Sequence, residues 1–109
     1  MSHSIILASA SAVRSRILTG AGIPHITAPT AIDEQAIRDA MPDSSADTIA
    51  LELARQKALT GSGRHPASWV IGCDQVLDCE GVFLSRPASI PAARSQLEFL
   101  RGKTHGLCS

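Results

Sequence analysis

Aromatic side chains are scarce in this chain: of 109 residues only 3% are aromatic, and none is tyrosine. A surface that stacks single-stranded bases needs several such rings, so that mode of nucleic-acid binding has no platform. A charge excess is missing too, because ten Lys and Arg balance ten Asp and Glu. Zero balance argues against the broad basic footprint of a nucleic-acid or anionic-membrane binder, and leaves room for one small basic pocket. No apolar run approaches the roughly 20 residues that cross a bilayer. The N-terminus shows no basic segment followed by an apolar stretch and a small-residue cleavage site, so no secretory leader is read there. Cysteine is sparse and odd in number, Cys73, Cys79 and Cys108, without metal-ligand spacing. That usage points to reduced thiols in a cytoplasmic protein. Cys73 has no cationic neighbour in sequence that would activate it, so it reads as a small strand residue rather than a nucleophile.

What the chain does have is apolar residues, at 44%, enough for the core of one small domain. Its opening is the most informative stretch. Ile5 to Ala8 is a short branched run suited to a buried strand. Ser9 and Ser11 follow, and Val13, Ile17 and Leu18 then recur at helical spacing. Either serine can cap that helix by accepting an unpaired first-turn N–H. Free N–H groups, two hydroxyls and the Arg14 guanidinium at a positive helix end are the chemistry of a phosphate site. Taken alone they read first as an ordinary strand-to-helix junction, because such junctions are common.

Further along, Thr19-Gly20-Ala21-Gly22 is a helix stop reinforced by Pro24, and His25 to Ala28 is a short strand with His25 on its face. Asp33-Glu34 opens a helix running to about Met41, where the two acids serve a first helical turn as well as they would serve a site. Asp43 to Asp47 is a polar turn before the longest helix, Ala46 to Leu59, which Thr60-Gly61-Ser62-Gly63 is expected to end. Lys57 lies on the small-residue flank of that helix. Trp69 to Gly72 reads as a buried strand with Asp74 at its carboxyl end, where open α/β sheets bind ligands. Val76 to Leu84 is a hairpin turning near Glu80-Gly81. Ser89 caps a helix to Leu100 that tolerates Pro91 in its first turn, and Thr104 to Cys108 begins a last strand.

Leu7-Ala8-Ser9-Ala10-Ser11-Ala12-Val13-Arg14 resembles the opening motif of the Maf-like nucleoside triphosphate pyrophosphatases, L-A-S-x-S-P-R-R. The resemblance continues in family order at Asp33-Glu34, Ala54 to Ala58, Val70 to Val76, Ser85-Arg86-Pro87 and Gly102 to His105. Each motif is weak alone; their order over nearly the whole chain is specific. Three positions depart. Ala12 replaces the proline, Val13 replaces the first arginine, and Arg86 replaces the usual lysine before proline.

The resemblance implies an α/β fold of the inosine-triphosphatase type, a mixed sheet flanked by helices. It implies one Maf-like domain over 1–109, truncated at its C-terminal end, since the family continues past this point. The strands near Ile5, Trp69 and Leu77 are expected in one sheet, covered by helices near Val13 and Leu53. The implied reaction is hydrolysis of a nucleoside triphosphate between its α and β phosphates. In it Ser9, Arg14, Lys57 and Arg86 bind phosphate, and Asp74 is the catalytic carboxylate. Glu34 and Asp74 would hold a divalent cation, Mg2+ being the one expected. Asp74-Gln75 is more like the branch that prefers 7-methyl-GTP than the branch with Asp-Thr. The expected partner is a small-molecule nucleotide, with no nucleic acid and no membrane, and a homodimer left open. The alternative is a truncated, inactive remnant that binds phosphate or a partner without turnover.

Overall fold

Two three-stranded sheets of opposite character share one long helix in the computed structural model, which describes residues 4–109. In chain order the elements are β1 (Ile5–Leu7), α1 (Ala12–Gly20), β2 (Ile26–Thr27), α2 (Glu34–Asp39) and α3 (Ala46–Arg64). They continue with β3 (Trp69–Ile71), β4 (Val76–Cys79), β5 (Val82–Leu84), α4 (Ile90–Leu100) and β6 (His105–Cys108). The first sheet is parallel in the order β2-β1-β3, with Ile6 opposite both Ile26 and Val70. The second is antiparallel in the order β5-β4-β6, with Leu77 opposite both Leu84 and Leu107.

The strand near Leu77 therefore does not share a sheet with Ile5 and Trp69, as the sequence reading expected. Ladder pairing stops at Ile71 and resumes at Val76. Between them Gly72 lies so close to α3 that a Cβ there would collide with the Ala54 carbonyl oxygen and sit 2.7 Å from the Ala58 nitrogen. The chain leaves the first ladder at that contact, and β4 finds its partners elsewhere.

Local chemistry sets most element ends. Ser11, Ser45 and Ser89 each cap a helix by accepting the backbone N–H three residues on, and Asp33 does the same for α2. At the end of α1 the Gly22 N–H donates to the Thr19 carbonyl and the Ile23 N–H to the Leu18 carbonyl, both at 3.0 Å. That paired closure needs a left-handed residue, which Gly22 supplies at φ 74°. Glu80 and Gly81, at φ 54° and 84°, form the two-residue turn that matches the twist of the β4–β5 hairpin. His25 precedes β2 instead of standing on its face: its Nε2 is 2.7 Å from Ser15 Oγ and its Nδ1 is 2.9 Å from the Ile23 carbonyl oxygen. The ring ties α1 to the entry of β2.

Helix α3 is the core element. Ala46, Ile49, Ala50 and Leu53 are buried with Val76 of the second sheet, and Ile32, Ile37, Met41, Phe83 and Cys108 pack around them. Burying side chains of the size of Ile49 or Leu53 contributes about 1.5–3 kcal/mol each. Burial, reinforced by the Asp47 carboxylate, pushes the Cys108 thiol above its ordinary range. The helix also runs past its expected stop, through Thr60-Gly61-Ser62-Gly63 to Arg64. Gly61 is buried there against Val70 and Ala8, and a Cβ on it would meet Val70 Cγ1 at 2.8 Å. Its glycine admits the first sheet rather than ending the helix.

Gly61 and Gly63 should therefore respond oppositely to alanine. Gly63 has nothing within 4 Å of its missing Cβ, so Gly63→Ala should stabilise by about 0.5–1 kcal/mol through helix propensity. Gly61→Ala should destabilise, because overpacking of about 1–3 kcal/mol outweighs that gain. Thermal unfolding followed by circular dichroism measures both; a higher midpoint for Gly61→Ala would refute this seat of α3.

Candidate active site

The loop after β1 begins the site. Ser9 is only 6% exposed. Its Oγ accepts the Ser11 N–H at 3.1 Å and Arg14 Nη1 at 3.2 Å. Arg14 Nη1 also donates to the Cys73 carbonyl oxygen at 3.2 Å. Cys73 thus lies beyond β3, not within it, and serves the site through its backbone. Ser11 is the helix cap, while buried Ser9 holds the guanidinium. The N–H groups of Ala12 and Val13, in the open first turn of α1, have no acceptor within the helix. Val13 is exposed, and Ala12 leaves that turn unobstructed.

Helix α3 brings Lys57 to the same place. Its side chain is 14% exposed, with Nζ 3.1 Å from Glu34 Oε1 and 3.4 Å from Asp74 Oδ2. The Asp74 side chain is 12% exposed. Asp74 Oδ1 accepts the Gln75 N–H at 2.7 Å, whereas Oδ2 is buried and makes no hydrogen bond. One lysine therefore stands between two carboxylates, and that ion pair is the contact the buried Asp74 Oδ2 makes. The Gly72 contact produces this arrangement, since it brings the chain against α3 at Ala54–Ala58, two residues before Asp74.

These groups line a cleft of about 530 Å3. Ser9, Arg14, Glu34, Lys57, Asp74 and Arg86, the six residues singled out in the sequence, all face it. Glu34 lies in the cleft and Asp33 caps α2, so the two adjacent acids divide the roles between them. The reading missed Arg38 and Gln96. Arg38 sits one turn after Glu34 on α2, a spacing that marks it as a neighbour of the site; its Nη1 reaches Ser85 Oγ at 3.5 Å. Gln96 donates to the Ser85 carbonyl from α4, a contact that no local pattern announces. With Arg38 counted, four cationic side chains face two carboxylates. Such a cleft suits a polyanion.

A divalent cation also fits the residues present. Asp74 offers a buried acceptor without a hydrogen bond, and Glu34 shares its lysine. Among the described residues no group of three or more His, Cys, Asp or Glu forms a ready-made cage. Two carboxylates are what Mg2+ uses when waters and substrate phosphates fill its other positions.

The family model for Maf-like proteins matches residues 4–109. The chain belongs to the Maf-like family. A nucleoside triphosphate pyrophosphatase of Nitrobacter winogradskyi is 44% identical over 106 residues, covering 97% of this chain and 52% of the relative. One of Roseobacter denitrificans is 42% identical over 111 residues, covering all of this chain and 56% of the relative. A protein named 7-methyl-GTP pyrophosphatase, of Brucella abortus, is 40% identical over 111 residues with the same coverage. The chain thus spans about half the length of the curated relatives it matches.

Gly72→Ala should cost more than Gly61→Ala, because its Cβ meets helix backbone and not a side-chain tip. Overpacking of that kind reaches about 3 kcal/mol, which lowers the midpoint of a domain this size by well over 10 °C. A thermal midpoint within about 2 °C of the parent would show that α3 and the Asp74 loop are less tightly coupled than described.

Proposed function

We propose that this site binds a nucleoside triphosphate and, as a pyrophosphatase, hydrolyses the bond between its α and β phosphates. The observation that carries the reading is the Glu34–Lys57–Asp74 cluster, set beside the open first turn of α1 in a cation-rich cleft. Phosphoryl transfer needs positioning and charge neutralisation more than a covalent nucleophile. The α1 N–H groups and Arg14 cradle phosphate oxygens, and Ser9 and the Cys73 carbonyl hold the guanidinium flat for a bidentate grip. Lys57 is neutralised by two carboxylates while the cleft is free of ligand; an arriving phosphate gives it a stronger partner and frees Asp74 Oδ2. That oxygen then orients the attacking water and takes its proton. Arg86, on the loop after β5, adds a further cationic group to the cleft. Mg2+ held by Asp74 and Glu34 would lower the charge of the phosphates and supply an electrophile for the oxygens of the scissile linkage.

Asp74-Gln75 and the relative named for 7-methyl-GTP support that nucleotide as a candidate substrate, in a cytoplasmic housekeeping role. Among the described residues no helix is long and apolar enough to cross a membrane. The second reading is binding without turnover. Pyrophosphate release from a nucleotide panel with Mg2+ separates the two. Under the first, Asp74→Asn should lower kcat by at least about 100-fold, the usual worth of general-base help. Arg14→Ala should raise KM as well as lower kcat, since its grip acts on ground and transition states alike. Asp74→Asn retaining more than a tenth of kcat would remove Asp74 from the mechanism.

We also propose self-association as a homodimer. Strand β3 is a free sheet edge whose Trp69 is 71% exposed, and parallel sheets are ordinarily covered on both faces. Light scattering after gel filtration should give a mass above 11.4 kDa. Trp69→Lys should return it to a monomer; a monomeric parent at high concentration would contradict the proposal.

A further inference from the structure

Part of the lining of the cleft is apolar. Leu84, Leu77 and Leu107 stand side by side on β5, β4 and β6, each in register with the next. All three line the cleft. Strand alternation explains the row, because Val76 and Cys108, one position away, point to the opposite face and pack against α3. At these positions the second sheet is thus apolar on both faces: one is spent on the core, while the other meets the cleft, with Leu107 60% exposed. No polyphosphate uses such a surface. A flat, largely apolar group attached to a polyanion does.

We propose that this leucine row is the seat of the nucleobase, which lies flat across Leu84, Leu77 and Leu107 while the phosphates run toward α1 and α3. The inference rests on the nucleotide reading above and adds the orientation of the substrate. A row of leucines reads area rather than hydrogen-bonding pattern, so it holds the base without selecting strongly among purines. Among the described residues no aromatic side chain lines the cleft, so the seat offers no cation–π attraction to a positively charged base.

The test compares two probes by calorimetry, on the chain as it is, with Mg2+ present. One is the α,β-methylene analogue of GTP, which cannot be cleaved at the proposed bond; the other is inorganic tripolyphosphate, which has no base. The parent should bind the analogue at least about tenfold more tightly. Leu107→Ala should lose most of that advantage, about five- to tenfold for the apolar area removed, and leave tripolyphosphate affinity unchanged. Leu107→Thr, which keeps strand propensity, should behave alike. Equal affinity of the parent for both probes, or full analogue affinity in both variants, overturns the leucine seat and leaves the phosphate site standing. Loss of both probes in both variants assigns Leu107 to folding and overturns it equally. A parent that binds neither probe overturns the nucleotide reading itself.

Discussion

Two close approaches hold α3 in place. Gly61 lies on Ala8 and Val70, and the helix backbone at Ala54 and Ala58 lies on Gly72. Between these points and the apolar stripe from Ala46 to Leu53, a helix of about 28 Å is clamped to two sheets that share no ladder with each other. Every ionic contact in the site depends on that clamp. Lys57 lies on the stretch of α3 that Gly72 touches, and Asp74 follows Gly72 by two residues. Small residues at these points set the spacing between lysine and carboxylate, because the close contacts at Gly72 and Gly61 leave no room for α3 to shift.

Electrostatically the cleft is balanced unevenly by depth. Its innermost charges, Lys57 and Asp74, are paired, and Glu34 joins them from α2. Arg14 is held by neutral acceptors, the Ser9 hydroxyl and the Cys73 carbonyl, which fix its orientation without consuming its charge. Arg38 likewise contacts only a hydroxyl at its Nη1. Uncancelled guanidinium groups surrounding a cancelled centre leave a field that attracts anions while limiting the self-repulsion of the empty site.

Features decided within a few residues were legible in the sequence. Serines placed before apolar periodicity gave the caps, Gly22 and Glu80-Gly81 the turns, and the ordered motifs all six cleft residues. What depended on remote neighbours was not. Gly61 looks like a stop signal until Val70 is seen across from it, and Gly72 looks like the tail of a strand until α3 is seen against it. The division into two sheets follows from that second contact and so was equally hidden. Gln96 reaches the site only because α4 returns to the Ser85 loop. Arg38 was the exception, legible from its spacing to Glu34 and overlooked.

The two ladders also differ in how far apart their partners lie along the chain. Cys79 and Val82 meet across a two-residue turn, whereas β1 must find β3 past α1, β2, α2 and the whole of α3. Loop closure over such a span costs entropy before any contact repays it, so local pairing precedes distant pairing. Ser9 and Arg14 follow β1, and the Cys73 carbonyl and Asp74 follow β3. The groups proposed to hold phosphate are therefore brought together by the pairing most distant along the chain. An anion bound there as proposed would bind the finished fold alone, drawing the population toward completed molecules as its concentration rises.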